Sequence, residues 1–310
     1  MDDVLVLWDI DGTLLNADGV GRDLYDAVFL QLFGRTLSAY APMAGRTDRA
    51  IILETLSLAG VDEPRRYVDP FIAGLCEHAS SVRSAVADRG HALPGAAAVL
   101  ATLGSFTGGN GPFLAAPPRP APATAAQPVT APSLAAPALA PPSMAAPPIT
   151  AQMMTAQAQA MTPQAMTQPP LTAPPVSADV TDGGRIHQSV LTGNIRSVAE
   201  VKLAALGLRE WLDLCIGAYG DDHEDRTELV HVARRRAAAV HGRSAAEFGG
   251  TATVVIGDTP LDIAAALAAG ARAVGVATGS YSADDLAMAG ADAVLPDLTD
   301  TAAVLRALLA

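Results

Sequence analysis

Two aspartates stand two residues apart near the start of the chain, in Val4-Leu5-Val6-Leu7-Trp8-Asp9-Ile10-Asp11-Gly12-Thr13-Leu14. The apolar run predicts a buried strand, and alternation along a strand sends Asp9 and Asp11 to the same side. Gly12 and Thr13 follow as a turn whose backbone N–H groups are suited to receive an anion. Buried carboxylates are costly unless they are paired or bind a metal. Next to such a turn they suit an Mg²⁺ site that also attacks phosphorus, with capping of the strand end as the plainer alternative.

Two further clusters sit where strands should end. Val254-Val255-Ile256-Gly257-Asp258-Thr259-Pro260-Leu261-Asp262 predicts a buried strand closing in Gly-Asp, with a second acid one helical turn on. Mg²⁺ takes oxygen ligands in octahedral geometry and keeps several waters. Asp258 can complete its shell, with Asp262 behind it as a ligand or as an acceptor for a ligand. Thr192-Gly193-Asn194 follows another apolar run, and a hydroxyl with free N–H groups at a strand end suits a phosphate oxygen. Taken alone, Thr-Gly-Asn is also a common turn.

The Asp9-Ile10-Asp11-Gly12-Thr13-Leu14 string resembles the first motif of the haloacid dehalogenase superfamily, most of whose members are phosphatases. Thr192-Gly193-Asn194 is similar to its second motif and Gly257-Asp258 through Asp262 to its fourth. The resemblance implies Asp9 as nucleophile through an aspartyl-phosphate, and Asp11 as general acid and then base. It implies Mg²⁺ held by Asp9, the Asp11 carbonyl and Asp258, and phosphate gripped by Thr192, Gly193 and a cation. For that cation the superfamily uses Lys or Arg at the helix start after the third core strand, which points to Arg226. Lys202 is the rival candidate, but ten residues beyond Thr192 on the preceding helix it is read as a solvated surface lysine, and Asp221 to Asp225 as a solvated helix start. Ala44-Gly45-Arg46-Thr47-Asp48 resembles a substrate-facing loop of phosphoglycolate phosphatases. Arg46 and Thr47 would then touch substrate, although the start of a helix explains the stretch equally well. An acid at position 11 favours phosphate-ester chemistry over dehalogenation or phosphonate cleavage. A phosphomutase of the β-phosphoglucomutase type remains the alternative enzyme.

Elements must place these residues together. Strands are predicted at 189–192, 212–216, 253–256 and 273–276. They alternate with helices that start near Leu93, Ser197, Asp225, Leu261 and Thr301. Such alternation predicts an α/β fold with a doubly wound, Rossmann-like parallel sheet, whose ligands bind at the carboxyl ends of the strands. Residues 16–92 break the pattern with amphipathic runs at 23–32, 48–58 and 69–87, and resemble the superfamily's helical cap. The expected organisation is a core of 1–15, 93–104 and 185–310, a cap at 16–92 and an insertion at 105–184.

That insertion is rich in Pro, Ala, Thr, Gln and Met, with Pro-Pro pairs throughout. Such a composition blocks helix and sheet and has little to bury, so disorder is expected. Loop closure costs about 0.6 kcal/mol per doubling of length, so a fold tolerates the interruption. Catalysis is expected to survive its deletion, and the rival view makes it a docking segment for a protein partner. A net charge of −12 argues against nucleic acid or an anionic membrane as partner. A small phosphorylated substrate is the expected one. Two distant cysteines, no leader and no spanning apolar run give a cytoplasmic expectation.

Overall fold

The computed structural model describes residues 3–105 and 185–309. The Pro/Ala-rich stretch at 106–184, with the disorder and docking role expected of it, lies outside the described residues.

A parallel sheet carries the fold. Its strands are β1 (Val4–Trp8), β4 (Ile186–Val190), β5 (Thr253–Gly257), β6 (Arg272–Val276) and β7 (Ala293–Leu295), in the order β4-β1-β5-β6-β7. β1 therefore lies between strands reached in opposite directions, and the crevice of such a sheet opens at that switch point. Register levels the three strand ends there: Trp8 faces Val190 on one side and Ile256 on the other. Asp9, Thr192 and Asp258 all follow within two residues of that level.

Alternation on β1 divides the core between the two faces of the sheet. Val6 and Trp8 pack with Leu100 of α5 (Ala96–Ser105), Leu203 of α6 (Arg196–Ala205) and Val304 of α10 (Thr301–Leu309). Leu5 and Leu7 pack with Ala233 of α7 (Arg226–His241), Ile263 of α8 (Pro260–Ala268) and Leu286 of α9 (Ala283–Met288). The doubly wound expectation holds.

A strand was expected at 212–216, and none forms. A 3-10 turn at Arg209–Trp211 leads into irregular backbone, and only an isolated bridge, Leu191 to Ala218, marks the sheet edge. Leu212, Leu214 and Ile216 are buried, so their alternation reports a buried loop. The Asp213 carboxylate turns back onto the Cys215 N–H (3.0 Å), a local bond that competes with a ladder.

Between β2 (Leu15–Asn16) and β3 (His91–Ala92), a short antiparallel pair, the chain is helical. Its helices are α1 (Val20–Phe33), α2 (Asp48–Leu58), α3 (Val68–His78) and α4 (Arg83–Arg89). The run expected at 69–87 is broken by a 3-10 turn at Ala79–Val82. α1 and α3 meet over Gly74, where a Cβ would lie 2.7 Å from Val28, and the Tyr25 and Phe71 rings meet at a tilt, 5.2 Å between centroids. Among the described residues no helix is long and apolar enough to cross a membrane.

Candidate active site

A cavity of about 540 Å³ opens at the strand ends, lined by Asp9, Asp11, Thr192, Asn194, Arg226 and Asp258 together with residues of α1 and the 43–48 segment. The four sequence motifs therefore share one cleft.

Asp9 is buried directly beyond β1, and its Oδ1 receives Nη2 of Arg226 at 2.6 Å. Arg226 also donates to the carbonyls of Leu191 and Gly45. The Asp225 side chain caps its helix. Carboxylate oxygens of Asp9, Asp258 and Asp262 lie within 4.8 Å of one another. Burial first, then the neighbouring acids, holds Asp9 well above the ordinary carboxylate range. The same causes push Asp258 up to about 7. Three buried acids against one guanidinium leave negative charge that a divalent cation would neutralise, and the donor set is all oxygen.

Asp262 is already engaged. Its Oδ2 accepts the N–H (3.1 Å) and hydroxyl (2.7 Å) of Thr259, which closes the capping box of α8, and its Oδ1 pairs with Arg226 at 2.5 Å. Asp258 by contrast takes a side-chain bond from Thr13 at 3.2 Å and faces the cavity.

The Gly12 turn has another use than the expected anion nest. The Gly12 N–H goes to Leu15 O and that of Thr13 to Ile10 O, so neither is open to a ligand. Gly12 is needed because its φ is +87° and because a Cβ there would stand 2.4 Å from Asp258. Thr192 is better placed. Its oxygen accepts from the N–H and Nδ2 of Asn194, which leaves its own proton to donate into the cavity.

Of the two expected substrate contacts in this stretch, Arg46 lines the cavity and Thr47 does not. Arg46 pairs with Glu54 at 2.7 Å. Thr47 caps α2, and its hydroxyl donates to the Glu224 carbonyl at 2.7 Å. The stretch is a clasp. Asp48 N–H donates to Gly193 O at 2.7 Å, and Asp48 Oδ2 accepts from Ile195 N–H at 2.8 Å. At the expected solvated start of α7, His223, Glu224 and Asp225 are exposed, whereas Asp221 caps Arg196 and Asp222 pairs with Arg236 at 2.6 Å.

Lys202 is the residue that sequence reasoning weighed and set aside as solvated. It is buried, not solvated, and its Nζ lies 2.8 and 2.7 Å from the two Asp11 oxygens. The signal was present: Val198, Ala199, Lys202 and Leu203 share the buried stripe of α6.

Residues 229–301 match the family described as HAD-hydrolase-like. No curated protein matches the chain. Among solved structures, a haloacid dehalogenase-like family hydrolase from Streptococcus pneumoniae is 11% identical (TM-score 0.50, 98% of each chain covered). A hydrolase from Pseudomonas syringae is 15% identical (TM-score 0.52, 98% of each chain covered). A protein described as a predicted phosphatase from Clostridium acetobutylicum is 14% identical (TM-score 0.52, 99% of this chain and all of that one covered). The chain thus has the haloacid dehalogenase-like fold, and its sequence carries that family's match over the segment that bears Asp258 and Asp262.

Proposed function

We propose that this chain is a Mg²⁺-dependent phosphomonoester hydrolase working through an aspartyl-phosphate, with a small phosphorylated metabolite, phosphoglycolate-like in kind, as substrate. The observation that carries the reading is the pairing of Asp9 with Arg226 inside the acidic cluster, beside the Thr192 hydroxyl.

Asp9 would attack phosphorus with Oδ2, since Oδ1 is held by Arg226. Asp9, Asp258 and the Asp11 carbonyl would hold the ion, with Asp262 behind them fixing Arg226. When bound, the ion would neutralise charge on the transferring phosphoryl group. Thr192 and Gly193 would donate to its remaining oxygens, and among the described residues the Gly193 N–H has no other partner. Asp11 would give a proton to the leaving oxygen and later take one from water. A helical cap at 16–92 over the cleft would set which leaving group fits.

Phosphate release from a panel of small phosphomonoesters, with and without Mg²⁺, tests this. Release that needs Mg²⁺ and disappears in Asp9→Asn is expected. A variant as active as the parent would overturn the covalent route, and no release from any ester would overturn the activity.

A further inference from the structure

We propose that Lys202, acting with Asn194, is a positioning residue that holds the Asp11 carboxylate in line for proton transfer at the leaving-group oxygen. The proposal rests on the phosphatase reading above.

The geometry is specific. Lys202 Nζ contacts Asp11 Oδ1 (2.8 Å), Asp11 Oδ2 (2.7 Å) and Asn194 Oδ1 (2.8 Å). Asn194 Nδ2 closes the ring by donating to Asp11 Oδ2 at 2.6 Å and to Thr192 Oγ1 at 2.9 Å. Asp11 is therefore held from two elements, α6 and the loop before it. All three ammonium contacts go to side chains that line the cavity.

Stability alone does not account for this lysine. Taking an ammonium out of water costs several kcal/mol, and on the apolar stripe of α6 an aliphatic residue would pack without that cost. Exposure separates the partners: the Lys202 side chain is 5% accessible, whereas that of Asp11 is 41% accessible. The carboxylate stays open to the cleft while the group that orients it stays behind. Arg226 already serves Asp9 (2.6 Å), so the two cations divide the two acids between them.

Proton balance says what orientation is for. In the first half-reaction the Asp9–phosphorus bond forms, the bond to the leaving oxygen breaks, and that oxygen receives a proton from Asp11. In the second, water attacks phosphorus, the Asp9–phosphorus bond breaks, and Asp11 takes the water proton. An alkyl leaving group needs the first transfer. A p-nitrophenyl group does not, but both esters need the second.

The test compares an alkyl phosphate with p-nitrophenyl phosphate in the parent, Lys202→Met and Asn194→Ser. For Lys202→Met we expect kcat on the alkyl ester to fall roughly a hundredfold, within the usual range for a displaced acid–base group, with KM nearly unchanged. On the aryl ester we expect a burst of about one equivalent of nitrophenol before slow turnover. Asn194→Ser keeps the ion pair and should show the same split more weakly, and it carries the test if Lys202→Met does not fold. A KM increase at constant kcat would make Lys202 a substrate ligand and overturn the proposal. Unchanged kcat, or equal losses on both esters without a burst, would overturn it as well. A parent that releases no phosphate from either ester, or an Asp9→Asn variant that still does, marks failure of the phosphatase reading instead.

Discussion

Asp262 Oδ1 lies 2.5 Å from Nη2 of Arg226, the same nitrogen that holds Asp9. One guanidinium thus links the proposed nucleophile to the first turn of α8. Removing one partner of a buried ion pair typically costs about 3–5 kcal/mol, because the other charge is left uncompensated. Asp262→Asn should therefore lower stability by that order in urea unfolding. Its Mg²⁺ affinity should fall much less than that of Asp258→Asn. Metal titration of both variants decides between Asp262 as a support and Asp262 as a ligand, since equal losses would make it a ligand.

Asp258 gives the metal-free protein a pH dependence of definite sign. Its carboxyl is held up to about 7 from the ordinary 3.8 by burial and by Asp262. A group that binds its proton more tightly when folded stabilises on the acid side and loses that contribution as pH rises through its folded pKa. With chelator present, this residue's contribution should decline from about pH 4 to about pH 7. Melting temperatures of parent and Asp258→Asn across that range should diverge, with the variant flatter. Parallel curves would remove Asp258 as the source.

Gly193 has no room for a side chain. A Cβ there would lie 1.8 Å from the Arg46 carbonyl oxygen, and one at Gly220 would lie 1.7 Å from Gly193 O. These approaches let the start of α2 clasp the Thr192 loop. Gly193→Ala should cost about 1–3 kcal/mol by overpacking. It should also lower kcat/KM at least tenfold, because the displaced loop carries the Thr192 hydroxyl. Unfolding curves and steady-state kinetics on one preparation check both.

What could be read ahead of the structure follows from range. β1 and β5 were legible because a buried parallel strand is a continuous apolar run, and their terminal aspartates have no packing purpose. The α2 bounds were legible from the amphipathic run at 48–58. Long-range choices were not. Nothing local says that the Thr47 hydroxyl reaches Glu224, that Arg46 turns to Glu54, or that Gly12 is small for the sake of Asp258. The 212–216 segment misled because burial alternates there without a ladder. Lys202 was misread by residue type, although its place on the α6 stripe already put it inside.

Asp48 ties the helical segment to the site by a second route. Its Oδ1 accepts from Tyr25 Oη at 2.7 Å, and its Oδ2 accepts from the Ile195 N–H at 2.8 Å. Burial raises the Asp48 pKa in spite of these donors and of Lys202 nearby. Each donor therefore matters to a carboxylate that is largely buried. Hydrogen bonds to charged groups contribute about 1.5–3 kcal/mol, so Tyr25→Phe should destabilise by that order. Asp48→Asn should cost a similar amount. The double variant should cost less than the sum, since both changes act on one bond. If the losses simply add in urea unfolding, Tyr25 and Asp48 act independently, and the clasp depends on the main-chain bonds of Gly193 and Ile195 alone.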